Sequence, residues 1–285
     1  MIDIYLLQQL VSFAECGTLL AASEKLHTSQ PAMTRSMKKL EQELGVPLFV
    51  RSKNHLALNE TGMRAAEYAR RVLEADAEFE SRVRAFDRSL HTLAIGFCAP
   101  VPQAVLTPIL NNVFGDMTIS ADMMDDVDFL NRLENGTYQL AVTHFEPKDP
   151  MFYHKKCGHE DLFISVYPGN PLTFYPKIGL KDLDGLSILL LSRIGFWANT
   201  HRAKTPNSNY LLQVEADSFE ELVRTSEYPA FSSSYYIRRN ETFPDRINIP
   251  ITDDECHTDF YLVCMKNEVD KYKALCRVIT DKTIF

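Results

Sequence analysis

Between Leu26 and Ser29 only His27 and Thr28 separate two helical segments, and so short a connection forces the helices to pack against each other. Upstream, Thr18 offers its hydroxyl as an N-cap to "LLAASEKLH", where Ala21 and Ala22 are small enough to admit a neighbouring helix. Before that, Ile4, Leu7, Leu10, Val11 and Ala14 recur at helical spacing until Gly17 ends the run. Downstream, Ser29 is a capping residue and Pro31 falls in a first turn, where a missing N–H costs nothing. Met33, Met37, Leu40 and Leu44 then form one stripe expected to be buried.

That stripe leaves Gln30, Thr34, Arg35 and Lys38, with Pro31 beside them, on the opposite face. A helix face that merely meets water carries longer Glu and Lys pairs. Short polar and basic side chains at the start of the second helix of a tight pair are instead the pattern of a recognition helix entering the major groove. Gln and Arg reach base edges in bidentate fashion, and Thr adds a hydroxyl or methyl contact. Lys38 is placed for a phosphate.

After Gly45, "VPLFVRSKNHLALNETG" alternates apolar residues around the polar tip "RSKNH". This reads as a β-hairpin wing with Arg51, Lys53 and His55 directed to phosphate or the minor groove, followed by Asn59 as the next N-cap. Charge supports the division of labour. Residues 25 to 53 hold six basic against two acidic side chains, whereas residues 91 to 285 hold 18 basic against 26 acidic ones and carry the entire net charge of −8. The basic footprint of a phosphate-binding surface is local here.

The run "FAECGTLLAASEKLHTSQPAMTRSMKKLEQELGVPLFVRS…LALNETG" resembles the N-terminal domain of LysR-type transcriptional regulators. It shares the Ala-Ala pair, the Ser-Gln-Pro-Ala start, the Leu-Glu…Leu-Gly end, the Leu-Phe-x-Arg strand and the Thr-Gly after the wing. Thr18-Leu19, Thr34 and Asn59 depart from the usual Ser-Phe, Ser and Thr. The resemblance implies double-stranded operator DNA as partner, with Gln30, Pro31, Thr34 and Arg35 reading or lining the groove and Arg51 as the wing contact. Ser29, Lys38 and Lys53 complete the expected DNA-binding set.

Residues 61 to 90 lack Pro, and lack Gly after Gly62. Ala65, Ala69, Val72, Asp76, Phe79, Val83, Phe86 and Leu90 follow at alternating steps of four and three, a heptad seam spoiled once at Asp76. So narrow a seam on a charged helix calls for a second helix, the same one in another subunit, with Val72, Phe79, Val83 and Phe86 as the contacts. By resemblance the assembly is a homodimer or homotetramer.

From "HTLAIGF" onward, strands at 93–97, "MTISADM" and "YQLAVTH" alternate with helices over Val101 to Phe114 and Val127 to Leu133. Then come "LFISVY", "SILLLS", "YLLQV", the helix "DSFEELVRTSE", "PAFSSSYY", "DFYLVC" and a final helix from Asn267 to Ile279 that returns to the first set. The βα order implies a mainly parallel sheet in two α/β lobes. The whole is an α/β multidomain chain: a winged helix-turn-helix over 1–60, a long linker helix over 61–90 and an effector domain over 91–285. By resemblance that last domain is periplasmic-binding-protein-like, with a small-molecule effector between its lobes.

Strand ends and helix N-termini nominate Cys98, Ala99, Pro100, Val101, Thr143, His144, Ser192, Phe196, Trp197, Ser232 and Ser233 as effector contacts. "CAPVP" is unusual for the family, since Pro100 and Pro102 have no N–H for an acidic effector. The effector is therefore expected to be less anionic than usual, or aromatic in keeping with Phe196 and Trp197, unless the pocket has lost its ligand.

The six cysteines, including Cys16 and Cys276, lack CxxC pairing and read as reduced thiols. "HKKCGHE" reads as a solvated loop, since no fourth ligand follows at metal spacing. The alternative function is a redox- or metal-responsive regulator using Cys98, Cys157, Cys256 or Cys264. No GxSxG, P-loop, GxGxxG or HExxH pattern supports an enzyme, and no motif implies a cofactor. "MIDIYLLQQL" lacks a basic n-region and long apolar core, and no apolar run reaches membrane-spanning length. The expected location is the cytoplasm.

Overall fold

A computed structural model of the chain describes residues 2–52, 55–124, 128–243 and 245–284. It divides into two units, Met1–Arg84 and Ala85–Phe285.

In the first unit, α1 (Ile4–Cys16) starts where the Asp3 side chain accepts from the Tyr5 N–H, and ends at Gly17 with φ 73°. Leu6, Leu10, Val11 and Phe13 are buried; Ala14, expected inside, is exposed because Phe13 occupies the core at that turn. Thr18 caps α2 (Leu19–Lys25) and Ser29 caps α3 (Gln30–Leu44) by accepting the N–H of Ala21 and Ala32. The two-residue turn holds His27 at φ 49°, a left-handed conformation uncommon outside glycine.

Met33, Met37 and Leu40 are the buried stripe of α3. Leu44 corrects the expectation at 38 % exposed, since it lies in the last turn, where Gly45 diverts the chain at φ 71°. Strands β1 (Phe49–Ser52) and β2 (His55–Leu58) pair antiparallel as the wing, and Phe13 meets Phe49 edge to face at 5.3 Å. Asn59 then caps α4 (Glu60–Ser89), its Oδ1 accepting the Gly62 N–H at 2.7 Å. A Cβ on Gly62 would lie 2.1 Å from the Leu48 carbonyl, which explains why glycine follows the threonine there.

The second unit contains β3 (Thr92–Phe97), α5 (Pro100–Val113), β4 (Thr118–Met123), α6 (Phe129–Glu134) and β5 (Leu140–Thr143) as its first lobe. β3 lies between β4 and β5, parallel to both. The helix expected from Val127 is described from Phe129, and Val127 lies outside the described residues.

Next is β6 (Phe152–Val166), which enters the second lobe of β7 (Ser187–Leu191), α7 (Trp197–Thr200), β8 (Asn209–Gln213), α8 (Ala216–Thr225), β9 (Ala230–Ser233), α9 (Ser234–Arg238) and β10 (Ile247–Pro250). There β7 is parallel to β8 and β9. β11 (His257–Met265) returns to pair antiparallel with β5 and with β6, and α10 (Lys273–Val278) packs on α5 of the first lobe.

Several expectations change. "HKKCGHE" is not a loop but the first half of β6, paired with β11 from Phe152 opposite Met265 to Asp161 opposite His257. The same strand then pairs with β9 from Leu162 and with β10 from Phe163, so one continuous strand joins the lobes. Its polar side chains lie among strand partners, which removed the alternation that would have marked it. "PAFSSSYY" is a strand only to Ser233, after which Ser234 begins a helix. The final helix shortens because 266–272 form a 3-10 turn. Among the described residues, no helix is long and apolar enough to cross a membrane.

Candidate nucleic-acid interface and ligand cavity

On α3 the expected reading face is free of its own domain. Ser29, Gln30, Pro31, Arg35 and Lys38 are exposed, and Thr34 is half-buried. Gln30, Thr34 and Lys38 follow at intervals of four, with Pro31 and Arg35 as the adjacent row, so the five side chains share one face. Thr34 Oγ1 donates to the Gln30 carbonyl at 2.9 Å, so its proton is committed within the helix, leaving a methyl and lone pairs to present. Among the described residues neither Arg35 nor Lys38 makes an ion pair, whereas Lys39 is paired with Glu43 at 3.7 Å.

Glu41, which the sequence suggested only as a charge against the basic patch, holds the wing. Its Oε1 accepts the N–H groups of Leu48 and Phe49 at 2.8 and 3.2 Å. Arg51 lies on β1 opposite Leu56; Lys53 lies outside the described residues. Along α4, Val72, Phe79, Val83 and Phe86 are exposed, Phe79 and Phe86 at 66 % each, as is Leu90 just past its end. Asp76 is half-buried at the position that interrupts the seam.

The second unit encloses a cavity of about 290 Å³ where the start of α5 meets the second lobe. Apolar walls come from Leu189, Phe219, Val223, Phe231 and Phe243. Of the expected contacts, Pro100, Val101, Trp197, Ser232 and Ser233 line it.

The other six stand elsewhere. Cys98 and Ala99 are fully buried, and the Cys98 carbonyl accepts the Phe196 N–H at 2.9 Å. Thr143 is buried and its Oγ1 donates to the Phe145 carbonyl at 2.7 Å. His144 stacks on Phe196 at 4.2 Å and 3°, and Phe196 meets Trp197 at 4.2 Å. This ladder joins the end of β5 to α7 and forms structure between the lobes. Ser192 is exposed and its N–H donates to the Gln213 carbonyl, so it is off the cavity.

Sequence reasoning missed Glu160 and His201. Glu160 sits on β6, is 2 % exposed and receives the Trp197 indole N–H at 3.4 Å. Burial pushes its carboxyl up to about 7; Ser233 and Trp197 pull the other way, and Asp161 adds to the rise. Burial, helped by Arg202, pushes the His201 imidazole down to about 4, so it is neutral at physiological pH. Ser233 Oγ and His201 Nε2 complete no hydrogen bond of ordinary geometry. A glutamate in "HEDLF" gave no hint of this, because burial of a strand residue depends on which neighbours the fold supplies.

The cysteines fit reactive chemistry poorly. Cys98, Cys157, Cys256 and Cys264 are buried, and burial pushes the thiols of Cys157, Cys256 and Cys264 up to about 12. Among the described residues no group of three or more His, Cys, Asp or Glu side chains is arranged to hold a metal.

A tight helix pair with an exposed basic reading face, a wing and a long helix with a bare apolar stripe defines a helix-turn-helix regulator. Residues 4–63 match the family described as bacterial regulatory helix-turn-helix protein, lysR family. The regulator TfdS of Cupriavidus pinatubonensis is 34 % identical over 209 residues, covering 66 % of this chain and 71 % of that protein. TcbR of a Pseudomonas species is 31 % identical over 195 residues, 66 % of each chain. Full-length OxyR from Pseudomonas aeruginosa shares the fold at 18 % identity and TM-score 0.50, over 98 % of this chain and 96 % of that one. The chain belongs to the LysR family of transcriptional regulators.

Proposed function

We propose that this regulator reads a two-fold operator in double-stranded DNA as a homodimer or homotetramer, and that a small molecule in the cavity of the second unit sets its output. It is not an enzyme, needs no cofactor and acts in the cytoplasm. The observation that carries the reading is the exposed row of Gln30, Pro31, Arg35 and Lys38, with the half-buried Thr34 among them, on the outer face of α3. One such helix spans only a few base pairs, so two half-sites are required for useful specificity. The exposed apolar stripe of α4 supports pairing through that helix.

Control follows from the lobes. β6 crosses from one lobe to the other and the chain returns between β10 and β11, and the cavity takes walls from α5 as well as from the second lobe. A ligand with different affinity for two lobe arrangements shifts the population between them, and with it half-site spacing or DNA bend. DNA footprinting across a salt series tests the reading. Specific protection is expected, weakening as salt rises because phosphate contacts release counterions; protection nowhere near the protein's own promoter would count against it.

A further inference from the structure

Glu160 raises a question the fold alone does not answer. A carboxyl group removed from water is costly unless it is well paired, and the donors beside it are both neutral, the indole N–H of Trp197 at 3.4 Å and the Ser233 hydroxyl. Beside it in the cavity, Ser233 Oγ completes no hydrogen bond of ordinary geometry and His201 Nε2 has no partner among the described residues. Three polar groups thus face one small volume whose remaining walls are mostly leucine, valine and phenylalanine.

The charge around this volume is one-sided. Glu160 lies inside, Glu220 and Glu241 are exposed at the edge, and Arg224 is the basic residue among the lining side chains. Arg224 lies over the ring of Phe243 at 5.1 Å. Arg246, half-buried on the same lobe, spends both terminal nitrogens on the carbonyls of Val223, Ser226, Ser165 and Tyr228. The start of α5 offers little to an anion, because Pro100 and Pro102 remove two of its first three N–H groups.

We propose that the cavity takes a small protonated amine with an apolar or aromatic body, its ammonium group received by Glu160 and Ser233. This rests on the reading that the cavity is the effector site. The ammonium supplies the opposite charge that the buried carboxyl lacks, in a charge-assisted hydrogen bond. Phe219, Phe231 and Trp197 receive the body. Burial that holds Glu160 near 7 makes the carboxylate available at neutral pH once a cation arrives. Since Glu160 lies opposite Thr258 at the last rungs β6 shares with β11, two residues before β6 pairs with β9, the ligand would grip the strand where it passes between lobes.

Calorimetric titration of the full-length protein with phenethylamine, phenethyl alcohol and hydrocinnamate separates the head groups while keeping the body. The amine is expected to bind on the order of tenfold or more tightly than the alcohol, with the acid weakest, and Glu160→Gln is expected to abolish that preference. Ser232→Phe, which fills the cavity from β9, should block the amine. If the amine binds Ser232→Phe undiminished, it sits elsewhere and the effector-cavity reading falls too. If that variant blocks binding but the alcohol or acid binds wild type as well as the amine does, the cavity stands and the cation inference fails. The wild-type ranking decides even if Glu160→Gln does not fold, and no binding by any of the three overturns the inference.

Discussion

At the scale of single residues, Arg35 and Lys38 are both exposed and make no ion pair among the described residues, yet their positions on α3 differ. Arg35 is in the second turn of α3 and Lys38 a turn further along, so in the proposed docking Arg35 meets bases and Lys38 a phosphate. Arg35→Ala should therefore relax base discrimination by about 1 to 3 kcal/mol, and Lys38→Ala should weaken all sequences alike and lower the salt slope by about one. Competition binding against operator and random DNA at several salt concentrations distinguishes the two. In the cavity, Glu160 and His201 titrate in opposite senses. Between 4.5 and about 7 the unfolded chain has lost the proton that folded Glu160 keeps, so this group lowers stability as pH rises through that window, by on the order of 3 kcal/mol in all. His201, lowered from 6.5 to about 4, lowers stability as pH falls through its own window. Asp161, Tyr236, Ser233 and Trp197 are the groups coupled to Glu160, and none of them is replaced in Glu160→Gln. The variant's melting temperature should thus gain on wild type steadily from pH 5 to 7; parallel curves would show that Glu160 does not titrate there.

Elements differed in how openly the sequence declared them. The helices and wing of the first unit were legible because their determinants are local: Thr18, Ser29 and Asn59 cap as their spacing suggests, and Met33, Met37 and Leu40 bury as their period suggests. β6 was half missed for the opposite reason. His154, Lys155 and Lys156 read as polar loop, but they face partners a hundred residues away, with Lys156 bonded to Asp259 at 2.6 Å and Lys155 donating to the Cys276 carbonyl. The strand-end rule led to Pro100 and Ser232 on the cavity wall, whereas a mid-strand glutamate such as Glu160 lies outside its reach. In α4, ion pairs Arg71–Glu67, Arg82–Glu78 and Arg84–Glu80 lie at one-turn spacing and support the helix by itself, so the bare stripe of Phe79, Val83 and Phe86 is not needed for helicity. Replacing Val83 and Phe86 together by Asp should leave helix content intact by circular dichroism and shift sedimentation to the monomer, with weak operator binding. Unchanged sedimentation would refute the seam.

At the scale of the molecule, regulation depends on how firmly the two lobes are held in one arrangement. Besides the crossing strand β6 and the return segment between β10 and β11, they meet where Gly195 and Phe196 run under the end of β3. Phe196 donates its N–H to the Cys98 carbonyl, its ring stacks on His144, and Gly195 at φ 61° passes so close that a Cβ would lie 1.9 Å from the same carbonyl oxygen. Glycine is required there twice, by conformation and by space. A latch built from one backbone hydrogen bond and the contacts of the Phe196 ring with His144 and Phe260 is small enough to open yet defined enough to close in a single register, as a switch between two lobe arrangements demands. Gly195→Ala must push the α7 segment off β3 or strain the backbone, at a cost on the order of 2 kcal/mol. The expected result is a lower melting temperature for the second unit and faster hydrogen exchange at the Phe196 amide, with exchange within α1 to α3 unchanged. An amide at Phe196 as protected as in wild type would mean that the lobes are held by the crossing chain segments alone.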